Sequence, residues 1–336
     1  MRVLLICFIL LVFSVTAFAR VSPVSYQSVI DSGIGLTLDQ RYEECLALFQ
    51  RHAAGEPGRF LAPFYALMTH EARMIDYETV DWEHAYDSLS LLTESLFKAE
   101  IKRDRNDAWA NYFLGTLYVT RGAHALRFSR YLNFTADVLK GIQSLKRALA
   151  LDSTLSDACL YLGLYQYARA ELFSWLPLLG DEKNEAMELI ERAARQSLFS
   201  QEVAIQVLVG IYGRNGEFDK AASLAAEFKS RHPDNRAIYW LLGNVYLSQK
   251  KYPEAQKEFS TLQGLLPGIP AQFVYNPASL NSTLARIHYE TGEYAACIAL
   301  CDKILALRVA DKRVGELQSV TERLRTKAEK ARRKTL

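Results

Sequence analysis

Residues 202–233 read EVAIQVLVGIYGRNGEFDKAASLAAEFKSRHP, and residues 236–267 read RAIYWLLGNVYLSQKKYPEAQKEFSTLQGLLP. At this 34-residue offset Tyr212 falls on Tyr246, Phe218 on Tyr252, Ala221 on Ala255 and Pro233 on Pro267. Within each stretch the apolar residues recur at three- and four-residue spacing, the period of a helix with one buried face. Each stretch breaks near its middle, at Gly216 and at Gln249-Lys250-Lys251, so each reads as two helices joined by a turn. Small residues at Gly243 and Ala255 let the two helices approach closely. Tyr, Phe and Leu fill the space between one hairpin and the next. Proline just past the second helix cannot continue it. A hairpin of this kind leaves one apolar face open, so the next must cover it.

The period and its residues resemble the tetratricopeptide repeat. The matching residues are Leu242-Gly243, Tyr246, Tyr252, Ala255, Phe259 and Pro267 in one unit, and Leu208, Tyr212, Gly216, Phe218, Ala221, Phe228 and Pro233 in the other. Weaker copies run outward. Leu284, Gly292, Tyr294, Cys297, Cys301 and Ile304 follow; Leu162-Gly163 with Ala186, Leu114-Gly115 with Gly141, and Leu67 with Leu92 precede. Tyr42, Cys45, Phe49 and Pro57 read as a lone second helix at the start. The resemblance implies an all-α fold, a right-handed α-α superhelix of helical hairpins. It also implies an interaction protein rather than an enzyme. Six hairpins are expected, with a leading helix near 37–53 and a capping helix near 311–333.

The spacing inside the hairpins is uneven. The regular units keep one separation between the contact position of the first helix and that of the second: Val209 to Ala221, Gly243 to Ala255 and Ala285 to Cys297. The corresponding pairs upstream, Leu67 to Leu92, Gly115 to Gly141 and Gly163 to Ala186, stand about twice as far apart. Three consecutive units thus carry an insertion at one place, which predicts a thickened edge on the N-terminal half. The chain therefore divides into a signal peptide (1–19), an N-terminal segment with the leading helix (20–57), extended divergent hairpins (58–200), regular repeats (201–309) and a basic C-terminal capping helix (310–336).

The segment 1–19 has a basic start, Met1-Arg2, an apolar run from Val3 to Val15, and an A-x-A ending at Ala17 and Ala19. This reads as a secretory signal cleaved after Ala19, and the expected address is the bacterial periplasm. Four cysteines then remain: Cys45, Cys159, Cys297 and Cys301. Cys297 and Cys301 would lie at i and i+4, with Cβ atoms about 5–6 Å apart. A disulfide wants about 3.5–4.5 Å, so all four are expected as packed free thiols.

The 336 residues hold 40 Lys+Arg against 38 Asp+Glu, which leaves no global field for nucleic acid, and none is expected as partner. From Arg308 onward, however, ten basic residues face four acidic ones. That end is read as a capping helix with a solvated basic face; its sharper reading is a peripheral contact with an anionic membrane. No P-loop, G-x-S-x-G, H-E-x-x-H or C-x-x-C occurs, and Gly33-Ile34-Gly35 lacks the third glycine of a dinucleotide fingerprint. The six histidines never cluster at metal-ligand spacing. No cofactor and no metal are expected.

Two surfaces remain for binding. First helices of such repeats line the concave wall, which points to Trp109, Tyr112, Leu160, Leu164, Tyr167, Gln206, Trp240, Asn244, Arg286 and Tyr289. The thickened edge offers Tyr77, Trp82, Arg127, Phe128, Tyr131, Phe173 and Trp175. The wall is preferred, and the edge residues are expected to pack as extra turns. The functional expectation is an exported scaffold that binds a protein or peptide in the cell envelope. The alternatives are a membrane-peripheral assembly factor using the basic tail and apolar edge, and a small-molecule binder or enzyme with a site built across repeats.

Overall fold

The computed structural model describes residues 21–127, 130–172 and 180–335. The leader and the edge candidates Phe128, Phe173 and Trp175 lie outside the described residues. Among the described residues there are no strands, and the helices pair in chain order. The first hairpin is α1 (Gln27–Leu38) with α2 (Tyr42–Arg51). The elongated hairpins are α3 (Gly58–Tyr77) with α4 (Glu83–Arg103), and α5 (Ala108–Arg127) with α6 (Tyr131–Leu151). An intermediate pair follows, α7 (Asp157–Leu172) with α8 (Gly180–Gln196). The regular units are α9 (Gln201–Asn215) with α10 (Phe218–Arg231), and α11 (Arg236–Ser248) with α12 (Tyr252–Leu265). Then come α13 (Tyr275–Glu290) with α14 (Tyr294–Leu305), and the terminal α15 (Lys312–Thr335). This is a tetratricopeptide-type helical solenoid.

The leading helix is not alone. Helix α2 lies where the lone second helix was read, but α1 precedes it as a first helix, so the hairpins number seven among the described residues. The reason is legible in retrospect. Gly33, Cys45 and Phe49 repeat the spacing of Gly243, Ala255 and Phe259. A Cβ built on Gly33 would collide with the ring of Phe49; one on Gly243 would lie 2.6 Å from the ring of Phe259. The same close approach thus sets both hairpins. In α5–α6 the approach is backbone on backbone: a Cβ on Gly115 would stand 3.0 Å from the Gly141 carbonyl oxygen, and one on Gly141 2.8 Å from that of Gly115.

The extra residues of the N-terminal units go into helix length. Helices α11 and α12 have 13 and 14 residues, whereas α3 and α4 have 20 and 21, as do α5 and α6. At 1.5 Å per residue each gains roughly 10 Å beyond the regular unit. Cys45, Cys159, Cys297 and Cys301 are all buried and free. Burial pushes the Cys45 thiol up, partly offset by its hydrogen bonds to Thr37 and Thr69.

The solenoid turns far enough for its first hairpins to meet α11 and the loop that precedes α13. Tyr42 and Tyr77 pack with Ile269 and Phe273 of the loop that precedes α13, and the rings of Tyr77 and Phe273 stack at 5.1 Å. Around this contact lies a polar clasp. Asp76 receives both Arg236 Nε, at 3.0 Å, and Arg236 Nη2, and its Oδ2 also accepts from the Tyr42 hydroxyl at 3.0 Å. Burial works against the Arg236 charge, but the hydrogen bonds to Asp76 outweigh it and hold the guanidinium above its ordinary pKa. His232 Nδ1 lies 2.9 Å from Asp39 Oδ1. Asn235 does two jobs: its Oδ1 caps α11 by accepting from Ile238 N at 3.1 Å, and its Nδ2 donates to the Leu38 carbonyl at 2.7 Å. Arg313 closes the outside, stacked 4.3 Å from the Tyr275 ring and donating to the Glu78 carbonyl.

Two substitutions test this packing. Gly243→Leu should cost about 3 kcal/mol by driving α11 off Phe259, and an unchanged denaturant midpoint would remove the close-approach assignment. Asp76→Ala strips the partner from a buried guanidinium and should cost about 3–5 kcal/mol. Small-angle scattering should then report an opened, larger particle; a particle of unchanged radius would show that the clasp does not hold the ends together.

Candidate functional site

The concave side of the solenoid holds a cavity of 1180 Å³, half open to solvent. Its lining follows one rule of register. The contact position of each first helix, Gly33, Leu67, Gly115, Gly163, Val209 or Gly243, faces the second helix of its own hairpin. One residue further on, the chain has rotated by about 100° toward the superhelix axis. Those next residues, Ile34, Met68, Thr116, Leu164, Gly210 and Asn244, all line the cavity. A second row stands two residues before the contact position: Tyr65, Tyr161, Val207 and Leu241. The wall is therefore largely apolar. At one end Phe199 and Ser200 complete it, held by a buried carboxylate: Asp157 accepts from the backbone N–H groups of Leu198, Phe199 and Ser200 at 2.8–3.0 Å. Polar side chains such as Thr37, Gln206, Asn244 and Ser248 are interspersed. Gln40 Oε1 and Thr116 Oγ1, on the lining, have no hydrogen-bond partner among the described residues. Glu71, Asp76 and Arg214 are the charged residues of the lining.

Of the ten wall candidates, Tyr112, Leu164, Gln206 and Asn244 line this cavity. The others are engaged elsewhere. Trp109 packs among the rings of Tyr112, Phe113 and Phe199. Leu160 is fully buried. Tyr167 is buried, with its hydroxyl donating to Asn215 Oδ1 at 3.1 Å. Trp240 lies edge-on to Phe259 at 5.6 Å. Arg286 is exposed and Tyr289 packs on Tyr294, both on α13, away from the lining. Counted from the contact position, the candidates fall three residues before it (Tyr112, Leu160, Gln206, Trp240), one after it (Leu164, Asn244, Arg286) or further off (Trp109, Tyr167, Tyr289); Leu160 and Trp240 are packed away, whereas Leu164 and Asn244 reach the cavity. It missed the α1 residues Ile34, Thr37 and Leu38 because α1 itself was missed.

The edge divides in two. Tyr77 and Trp82 belong to the closure cluster, with Arg73 lying 3.6 Å over the Trp82 ring. Further along, the tips of the elongated hairpins are open. Leu126, Tyr131 and Leu132 flank the α5–α6 turn at 44%, 63% and 88% exposure, and Leu172 ends α7 at 72%. Arg127, beside them, reaches Glu71 Oε1 at 3.4 Å. Among the described residues, the wall aromatics Trp109, Tyr167 and Trp240 are packed, and the edge candidate Tyr131 is exposed. Beneath the tip the added turns carry ion pairs. Arg121 bridges Glu94 (2.6 Å) and Asp137 (2.6 and 2.9 Å), and Glu94 also accepts from Lys98 and Tyr118. Glu71 holds His124 at 2.7 Å, and Tyr86 stacks on His124 at 4.5 Å.

Among the described residues no group of three or more His, Cys, Asp and Glu could hold a metal ion. No described helix is long and apolar enough to cross a membrane. No family model matches the chain, and no curated relative is found. Solved structures do match. PilW, a widely conserved type IV pilus biogenesis factor, is 12% identical with a TM-score of 0.50 over 70% of this chain and 93% of that one. The Cut9–Hcn1 hetero-tetramer of the APC/C is 13% identical with a TM-score of 0.56 over 87% of this chain and 48% of that one. At such identity the likeness is one of fold.

Acid titration checks the ion pairs under the tip. Burial raises the Glu94 pKa, but hydrogen bonds from Lys98, Arg121 and Tyr118 outweigh it and bring the value from 4.5 down to about 2. A carboxylate depressed in the fold adds stability that is complete above its unfolded pKa and is lost as pH falls through the folded one. After screening, Glu94 should therefore contribute about 2 kcal/mol at neutral pH. That contribution should fade between pH 4.5 and about 2. Glu94→Gln should flatten the acid limb of stability against pH; an identical limb would show the pairs to be inert.

Proposed function

We propose that this protein is an exported scaffold of the bacterial cell envelope that docks a partner protein on the open edge of its elongated hairpins. The observation that carries the reading is Leu132, 88% exposed, among Leu126, Tyr131 and Leu172. A large apolar side chain so exposed is unremarkable alone, but four at the tips of adjacent hairpins form the kind of surface that associates. The packed state of Trp109, Tyr167 and Trp240 supports the edge over the wall. The helical-hairpin solenoid supports an interaction role, and the 1–19 leader supports export. The reading assigns no catalysis to the chain. A membrane-peripheral role is the second reading, favoured by the exposed cations of α15, among them Lys327, Lys330, Arg333 and Lys334.

The test is site-specific photo-crosslinking from residue 132 in a bacterial host that exports the chain. A polypeptide adduct in the periplasmic fraction is expected. Replacing Tyr131 and Leu132 by Asp should remove the adduct from a neighbouring crosslinker at Leu126 without moving the melting temperature. Trp240→Ala should do the reverse, losing about 2 kcal/mol of stability by leaving Phe259 uncovered while keeping the adduct. Lipid adducts alone would favour the membrane reading. Retention of the protein adduct in the double Asp variant would sink the edge.

A further inference from the structure

The cavity carries one charge that nothing in the described chain answers. Glu71 is engaged by His124 and Arg127, and Asp76 by Arg236. Arg214, in the last turn of α9, is exposed where the lining opens to solvent, 5.9 Å from the Tyr167 ring centroid. It has no ion pair or hydrogen bond among the described residues. Most of the exposed lining is apolar, from side chains such as Ile34, Met68, Leu164, Val207 and Leu241, with uncharged polar groups such as Gln40, Thr116 and Asn244 between them.

We propose that this cavity is a binding site for an anionic amphiphile. The ligand is a long hydrocarbon chain ending in a carboxylate, with its head at Arg214 and its chain along α1, α3, α7 and α9. The chemistry of the wall decides against an extended peptide. Every peptide residue brings a backbone donor and acceptor that must be paired once buried, and the scattered polar side chains of this lining, Gln40 and Thr116 among them, are too few to pair them all. A hydrocarbon chain brings no polar group of its own and bends with the solenoid. A cation at the mouth of an apolar cavity then selects the head: an ammonium is repelled, a neutral head gains nothing, and a carboxylate accepts from the guanidinium fork. The cavity of 1180 Å³ leaves ample room for such a chain. This site is independent of docking at the hairpin edge.

The experiment is calorimetric titration of the full chain with dodecanoate, dodecanol and dodecyltrimethylammonium. Dodecanoate should bind at least tenfold tighter than the other two. It should bind about 15-fold tighter than decanoate, since each buried methylene is worth roughly fourfold. Arg214→Gln should bring dodecanoate to the level of dodecanol and leave dodecanol unchanged. Gly210→Phe should set a ring in the path of the chain and weaken both at least tenfold. A Cβ there meets only Leu241 Cδ1, at 3.4 Å, so the variant should fold with an unaltered melting curve. Should it fail to fold, Asn244→Trp, at an exposed lining position, blocks the same space. Absence of dodecanoate binding, or binding that survives both blocking variants, overturns the site. Equal affinity for the three heads, unmoved by Arg214→Gln, overturns the anionic assignment. An amphipathic peptide helix that binds in a Gly210-dependent way where dodecanoate does not would overturn the ligand class.

Discussion

One contact repeats along this molecule, and the remaining geometry depends on it: a small residue on a first helix that lets the second helix of the same hairpin come close. Phe259 lies against Gly243 and Phe49 against Gly33, and the Gly115 and Gly141 backbones touch directly. Because that face of each first helix is committed, the rotation of every other position follows. The residue after the contact must turn toward the superhelix axis. Six such residues from six hairpins then share one cavity. The site is thus a consequence of close packing, and it is built from positions that individually look like ordinary helix residues.

Closure adds a second constraint of a different kind. The apolar cluster of Tyr42, Tyr77, Ile269 and Phe273 brings the two ends together. The Asp76–Arg236 pair and the Asn235 bonds fix their register. Apolar burial is not directional, so it alone would tolerate sliding; hydrogen bonds with defined angles do not. Such a pair adds little net stability over an apolar replacement yet is costly to break. That asymmetry suits a clasp that specifies geometry. It also means that the loop between Pro267 and Pro277, an interruption in the repeat, supplies the plug that closes the ring.

The elongated hairpins show how added length is accommodated. The added turns of each helix extend the solenoid sideways past the cavity. Polar pairs such as Arg121 with Glu94 and Asp137 hold these turns together, and their tips leave Leu126, Tyr131 and Leu132 uncovered. The protein therefore presents an apolar interior and an apolar rim that are separate surfaces.

The sequence by itself determined the fold class, the hairpin register and the place of the insertions. These rest on local periodicity and on recurrent separations, such as Gly243 to Ala255 within a hairpin and Tyr212 to Tyr246 between hairpins. The same spacing from Gly33 to Cys45 and Phe49 contained the first hairpin too, but one glycine without a neighbouring Leu-Gly pair was too slight a signal. Four of the ten wall residues were legible on the same basis. Which aromatics stay exposed was not, since Trp109 and Trp240 are consumed by Phe199 and Phe259, partners brought by tertiary packing. Nor was the cavity. Asp76 meets Arg236 across 160 residues of sequence, and Glu78 meets Arg313 across 235. Contacts at that separation depend on the summed rotation of all the intervening hairpins, a quantity that no local pattern encodes.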